Sequence, residues 1–206
     1  MIYLTGCTNK KMAKHLDDQT IGFLNTPTTA KIVGSRWIWA ADNGCYGASY
    51  VGDEAWYSWL IKMAPQASTC LFATAPDVVG DGAATLTRSL PWLPLIRGLG
   101  FPAALVAQDG MTETTIPWGD FDVLFVGGTT EWKLGSEVRQ IIAGAHAQGV
   151  DVHAGRVNSW RRFHYFDSLG VRSADGNYIA FGPDQNLPAV LSWVERSKTH
   201  LRLWEA

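Results

Sequence analysis

Apolar and polar positions along this chain fall into two kinds of pattern. The segments "IYLTG", "IGFLN", "WIWAAD", "CLFATAPDVV", "AALVAQD", "DVLFVGG", "DVHAGRV" and "VRSAD" are short apolar runs bounded by turn residues, which predicts buried strands. Between several of them the apolar positions recur at helical spacing. Trp56, Trp59, Leu60 and Met63 follow Asp53, which reads as an N-cap. Val138, Ile141, Ile142 and Ala145 follow Ser136 and stop at Gly149. Ser159 caps a further helix with Trp160, Phe163, Phe166 and Leu169 inward and Gly170 as its stop. Asn186-Leu187-Pro188 opens the last helix, with proline in the first turn and Leu187, Val190, Leu191 and Val194 as the buried stripe.

Strands that alternate with helices predict a parallel sheet, and eight such units predict a compact (β/α)8 TIM-type barrel of the α/β class. No linker, low-complexity tract or repeat divides the chain, so residues 1–206 are expected to form a single barrel domain. An open doubly wound sheet is the competing architecture. It lacks support, because neither GxGxxG nor GxxxxGK[ST] occurs.

Composition narrows the setting. At 47% hydrophobic and 17% charged, the chain excludes disorder. No apolar run is long enough to span a bilayer and the first residues lack the regions of a signal peptide, so no membrane partner and a cytoplasmic location are expected. Cys7, Cys45 and Cys70 are odd in number, widely spaced and without a CxxC pair, which predicts neither disulfides nor a metal site. A net charge of -2 gives no global attraction to nucleic acid, so any such partner must meet a local patch. Ten tryptophans read mostly as packing.

The chemistry gathers where strands end, since in a parallel barrel all C-terminal strand ends open on one face. The third strand delivers Asp42-Asn43-Gly44 and then Tyr46; the fourth carries Asp77 and leads to Asp81; the fifth ends in Gln108-Asp109. The sixth ends in Gly127-Gly128, the seventh carries His153, Gly155 and Arg156, and the eighth ends in Asp175. Any one acid is explained by turn chemistry, because Asp and Asn bond their own turns and Gly tolerates positive φ. The set suits a purine-like ligand: carboxylates and Gln108 can meet guanine's edge, Gly127 and Gly128 can bring N–H groups to a carbonyl, and Tyr46 offers a stacking face. Two carboxylates about a sugar would fit glycosidic chemistry.

"Asp42-Asn43-Gly44-Cys45-Tyr46", "Val106-Ala107-Gln108-Asp109-Gly110", "Val126-Gly127-Gly128-Thr129" and "Val171-Arg172-Ser173-Ala174-Asp175-Gly176" resemble, in order, motifs of the tRNA-guanine transglycosylases. The chain is shorter than those enzymes, lacks their zinc cysteines and carries Ala154 where they place a large apolar residue. In these departures, and in "PDVVGD" and "SADG", it resembles the shortened DpdA-like DNA-guanine transglycosylases, often carried by phages. The resemblance implies a pentosyltransferase that exchanges guanine in DNA for a 7-deazaguanine such as preQ0, in the host cytoplasm if phage-encoded. In that reading Asp175 is the nucleophile and Asp42 the acid/base, while Asn43, Asp77, Gln108, Gly127 and Gly128 recognise the base and Tyr46 stacks on it. It implies no cofactor, and as partners a flipped or single-stranded guanine nucleotide and a free deazaguanine base.

Arg156, Arg161, Arg162 and Arg172 stand against one acid, Asp167, and read either as a phosphate clamp or as a solvated helix face. Two other readings stay open: a barrel that binds guanine or nucleic acid without chemistry, and a hydrolytic N-glycosidase.

Overall fold

The computed structural model describes residues 1–29 and 33–204, with side chains up to Lys198. Eight parallel strands close in sequential order into a barrel: β1 (Ile2–Thr5), β2 (Gly22–Asn25), β3 (Trp39–Ala41), β4 (Cys70–Thr74), β5 (Ala103–Ala107), β6 (Val123–Val126), β7 (Asp151–Ala154) and β8 (Ser173–Asp175). Each falls inside one of the eight apolar runs, and the strand ends carry the turn residues that the runs were bounded by. The open-sheet alternative is excluded by the pairing of β1 with β8, which sets Leu4 against Asp175.

Helices cover the outside: α1 (Lys10–Asp17), α2 (Asp53–Met63), α3 (Gly82–Ser89), α4 (Leu93–Gly98), α5 (Thr130–Lys133), α6 (Ser136–Ala147), α7 (Trp160–Ser168) and α8 (Pro183–Trp204). Between β2 and β3 the described residues hold none. Among the described residues no helix is long and apolar enough to cross a membrane.

Three helix starts depart from the sequence reading. Gly52, not Asp53, stands at the N-cap of α2, because Asp53 is drawn sideways into contacts with Arg88 and Tyr50. Gly135 rather than Ser136 precedes α6. The last helix begins at Pro183, whose missing N–H is harmless at a first position, and Pro188 falls inside it. Ser159 does cap α7, its hydroxyl accepting from Arg162 N at 3.3 Å.

Side-chain alternation divides the sheet's two faces. Outward residues pack under the helices in the larger core. Inward residues form a second cluster of Leu4, Ala40, Phe72, Ala104, Val106, Val123 and Phe125, where alanines make room for the phenyl rings. The β7 and β8 sector of the interior is different. There the inward positions are His153, Ser173 and Asp175, all buried.

Candidate active site at the barrel mouth

The C-terminal strand ends surround a cavity of about 350 Å³ lined by Asp42, Asn43, Tyr46, Asp77, Gln108, Gly127, Gly128, Arg156 and Asp175, among others. The structure thus brings nine of the sequence-derived site residues to one mouth.

Asp42 arrives there just after β3. The pairing of β3 with β4 slips between Trp39 and Ala41, a bulge of the sort that re-aims the chain beside a site. Its Oδ2 accepts from Gly44 N at 3.3 Å, so the turn chemistry of Asp-Asn-Gly is also present. Burial, and then the charges of Asp175 and Asp77, push the Asp42 carboxyl up to about 7. A carboxylic acid that titrates near neutrality can both take and return a proton.

Asp175 ends β8. Its Oδ1 lies 3.0 Å from His153 Nε2, and its Oδ2 accepts from Arg156 N at 3.3 Å. His153 Nδ1 lies 2.8 Å from Ser173 Oγ, and the imidazole is held between Phe72 and Phe125, with ring centroids at 4.8 and 4.6 Å. The pairing of His153 with Ser173 follows from strand register, since the two are direct neighbours across β7 and β8.

Asn43, Asp77 and Gln108 form the opposite wall, and they are committed to one another. Asp77 accepts from Asn43 Nδ2 at 2.8 Å and from Gln108 Nε2 at 2.6 Å. Gln108 Oε1 accepts from Gly80 N at 3.0 Å and Gly128 N at 2.9 Å. Asn43 also donates to Ala75 O at 2.7 Å and accepts from Cys45 N at 2.7 Å. Burial raises the Asp77 carboxyl, and its two amide donors hold it back. Gly127 N donates to Ala107 O at 3.0 Å. The two glycines are required by packing: a Cβ on Gly127 would meet Val106 Cγ1 at 2.6 Å, and Gly128 has φ of 67° with Trp132 closer still. Neither N–H is therefore available to a ligand's carbonyl.

The arginines do not form one patch. Arg156 lines the mouth, donates to Gly128 O and lies over the Tyr46 ring at 4.3 Å, so it occupies the stacking face expected to receive a base. Arg161 and Arg162 lie in the first turn of α7, outside the cavity lining. Arg172 pairs with Asp151 at the start of β7 and β8, the opposite end of the barrel. Of the other acids at strand ends, Asp81 caps α3 and Asp109 accepts from Thr129 N and Oγ1.

Two residues of the site had no role in the sequence reading. His153 has a legible signal: it sits at an inward position of a barrel strand, where a polar side chain is unusual. Lys133 has none. It is buried on α5 with Nζ donating to Gly155 O at 2.6 Å, and burial, then the Arg156 charge, lower its amine to about 8. Among the described residues no group of three or more His, Cys, Asp or Glu side chains is placed to hold a metal ion, and all three cysteines are free.

No family model matches the chain, and no curated protein does. Solved structures do. KGPDC from Streptococcus mutans is similar at a TM-score of 0.59 and 13% identity, over 98% of each chain. The 3-hexulose-6-phosphate synthase from Salmonella typhimurium is similar at 0.53 and 9% identity, over 96% of this chain and 98% of that one. KDPGal is similar at 0.54 and 13% identity, over 98% of this chain and 93% of that one. At such identities the likeness is one of fold. It nevertheless overturns the transglycosylase resemblance, since the neighbours belong to a different group of barrels. DNA-guanine exchange, the pentosyltransferase activity, the nucleotide and deazaguanine partners and the phage setting go with it, as do the guanine-binding and N-glycosidase alternatives. The physical reason lies in the same residues: the groups assigned to read a base spend their hydrogen bonds on each other, and Arg172, assigned to DNA, lies at the far end of the barrel from Arg156.

Proposed function

We propose that this barrel is an enzyme that moves a proton to and from a small anionic polyol of phosphosugar size, in a lyase reaction of aldol or decarboxylation character. The observation that carries it is the pairing, in one cavity of about 350 Å³, of an Asp42 carboxyl poised at about 7 with a second carboxylate, Asp175. The volume suits a small ligand. Arg156 is the one cation among the described lining residues, and it stands on the loop after β7, where barrels of this type often hold phosphate. The neighbours add support through their names, a hexulose-6-phosphate synthase among them.

In the aldol direction of cleavage the Asp42 carboxylate takes the proton of a substrate hydroxyl. The carbon–carbon bond next to it breaks, leaving an aldehyde, and its electron pair enters the enolate of the other fragment. Asp42 then returns its proton to the enolate carbon. One group with a near-neutral pKa serves both steps. Burial and then the Asp175 charge keep that pKa high, and Arg156 holds the anionic end at the rim.

The test is proton NMR in deuterated water of a panel of ketose and keto-acid phosphates with the protein. Deuterium should enter at the carbon beside the carbonyl of at least one, with cleavage or carbon dioxide loss. Asp42→Asn should lower that exchange by about a hundredfold or more. If no member of the panel binds or exchanges, the reading is wrong.

A further inference from the structure

The polar file in the β7 and β8 sector of the barrel interior is unexplained by packing. An imidazole between two phenyl rings in an apolar interior is costly unless both nitrogens are bonded, and a leucine or phenylalanine would fill the space with no such demand. Here both nitrogens are bonded, one to Ser173 Oγ at 2.8 Å and one to Asp175 Oδ1 at 3.0 Å. The file therefore ends at the cavity, on a carboxylate of the proposed site.

We propose that His153, oriented by Ser173, is a positioning residue that fixes the Asp175 carboxylate at the mouth, where it faces Asp42. This rests on the acid–base role proposed for Asp42. The Ser173 hydroxyl can donate to Nδ1, which leaves the hydrogen on Nε2, facing Asp175 Oδ1. The backbone N–H of Arg156 serves Oδ2 at 3.3 Å. That N–H is aimed by a backbone turn with φ of 56°, uncommon for a residue with a side chain and of the kind kept at functional positions. Two donors, one on each oxygen, fix the orientation of the Asp175 carboxyl group. Asp42 is raised first by burial and then by the Asp175 and Asp77 charges, which outweigh the Gly44 N–H at 3.3 Å and the Asn43 N–H that favour its charged form.

The other groups that face Asp175 are consistent with this arrangement. On β1, Tyr3 is buried and its hydroxyl stays protonated, raised by burial and by the Asp175 charge. Just after β3 stands Asp42 itself, and on α5 the buried amine of Lys133 feels the Asp175 charge as well as that of Arg156. None of the three takes the place of His153 on Oδ1.

The experiment is a carbon-13 NMR titration of the aspartate carboxyls, with nitrogen-15 detection of the His153 ring, and it needs no substrate. In the intact protein Asp42 should titrate near 7, with the His153 ring hydrogen on Nε2. In His153→Leu the Asp175 carboxyl loses its Oδ1 partner, and the Asp42 midpoint should fall by about one pH unit or more. His153→Gln, whose amide N–H can donate, should restore most of it. An unchanged Asp42 curve in His153→Leu, or a hydrogen on Nδ1 in the intact protein, would overturn the inference. Should His153→Leu not fold, Ser173→Ala decides: mixed tautomers and a lower Asp42 midpoint are expected, and an unaltered ring and Asp42 curve count against it. These curves stand apart from the turnover assay, so a failed substrate panel with the expected titrations rejects only the reaction.

Discussion

The side-chain amide of Gln108 donates to Asp77 at 2.6 Å, while its oxygen receives the N–H of Gly80 and the N–H of Gly128. Through this one amide the ends of β4, β5 and β6 are tied together. The pair builds the wall of the cavity rather than reading its contents.

Gln108→Leu should therefore destabilise the fold. It leaves a buried carboxylate short of a donor and two backbone N–H groups without acceptors, a loss of about 2–4 kcal/mol in urea unfolding. Ligand affinity per folded molecule should change less than stability. A variant of wild-type stability would show that the network is dispensable.

Asp42 should make stability depend on pH in a stated direction. Its folded pKa, about 7, is raised above the ordinary carboxylate value, so the native state holds a proton that the unfolded chain has released. The contribution is complete below about pH 4, where both states are protonated, and is lost as pH rises through 7. Asp42→Asn should thus match the wild type in stability at pH 4 and exceed it at pH 8. Allowing for the solvent that reaches the cavity, the gain is on the order of 2 kcal/mol. Chemical denaturation at the two pH values checks it, and a gain at pH 4 alone would contradict the sign.

Arg156→Ala should weaken binding of a phosphorylated ligand by about ten- to a hundredfold and leave a neutral polyol of the same size nearly unaffected. Isothermal titration with the two ligands reads the difference. Equal losses for both would mean that the guanidinium acts only as packing against Tyr46.

Arg172→Ala should be silent at the mouth. Its partner Asp151 sits at the far end of the barrel and both side chains are exposed, so the pair adds no more than about 1 kcal/mol to stability. Any loss of ligand binding above that of Arg161→Ala would place Arg172 nearer the cavity than its strand position allows.

Ser159→Ala should cost about 1 kcal/mol in thermal or urea unfolding, since the hydroxyl satisfies Arg162 N at the start of α7. Ser136→Ala should cost less, because Gly135 holds the cap position of α6. The two variants in one melting series separate a true cap from a residue that merely looks like one.

Hydrophobic pattern carried the eight strands and their parallel sense, because buried parallel strands are short apolar runs and parallel neighbours need a crossover connection, usually a helix; the closed barrel followed from their number and from the missing phosphate motifs of an open sheet. It also carried the mouth: strand direction sends Asp42, Asp77, Gln108, Arg156 and Asp175 to one face before any contact is known. What the side chains do there was decided by tertiary structure. Asn43, Asp77 and Gln108 are as able to bind a base as to bind each other, and only their spacing across β3, β4 and β5 shows the second. The arginines between 156 and 172 are near in sequence, yet the helix and strand between them carry Arg156 and Arg172 to opposite ends. His153 became part of the site only through register, which sets it beside Ser173 and below Asp175. Asp42 acquired its near-neutral carboxyl from burial and from the charges of Asp175 at the end of β8 and Asp77 just after β4, at positions far along the chain. Local sequence specifies backbone preference and burial, both short-range properties. Ionisation and hydrogen-bond partnership depend on distances between strands, and those exist only once the barrel has closed.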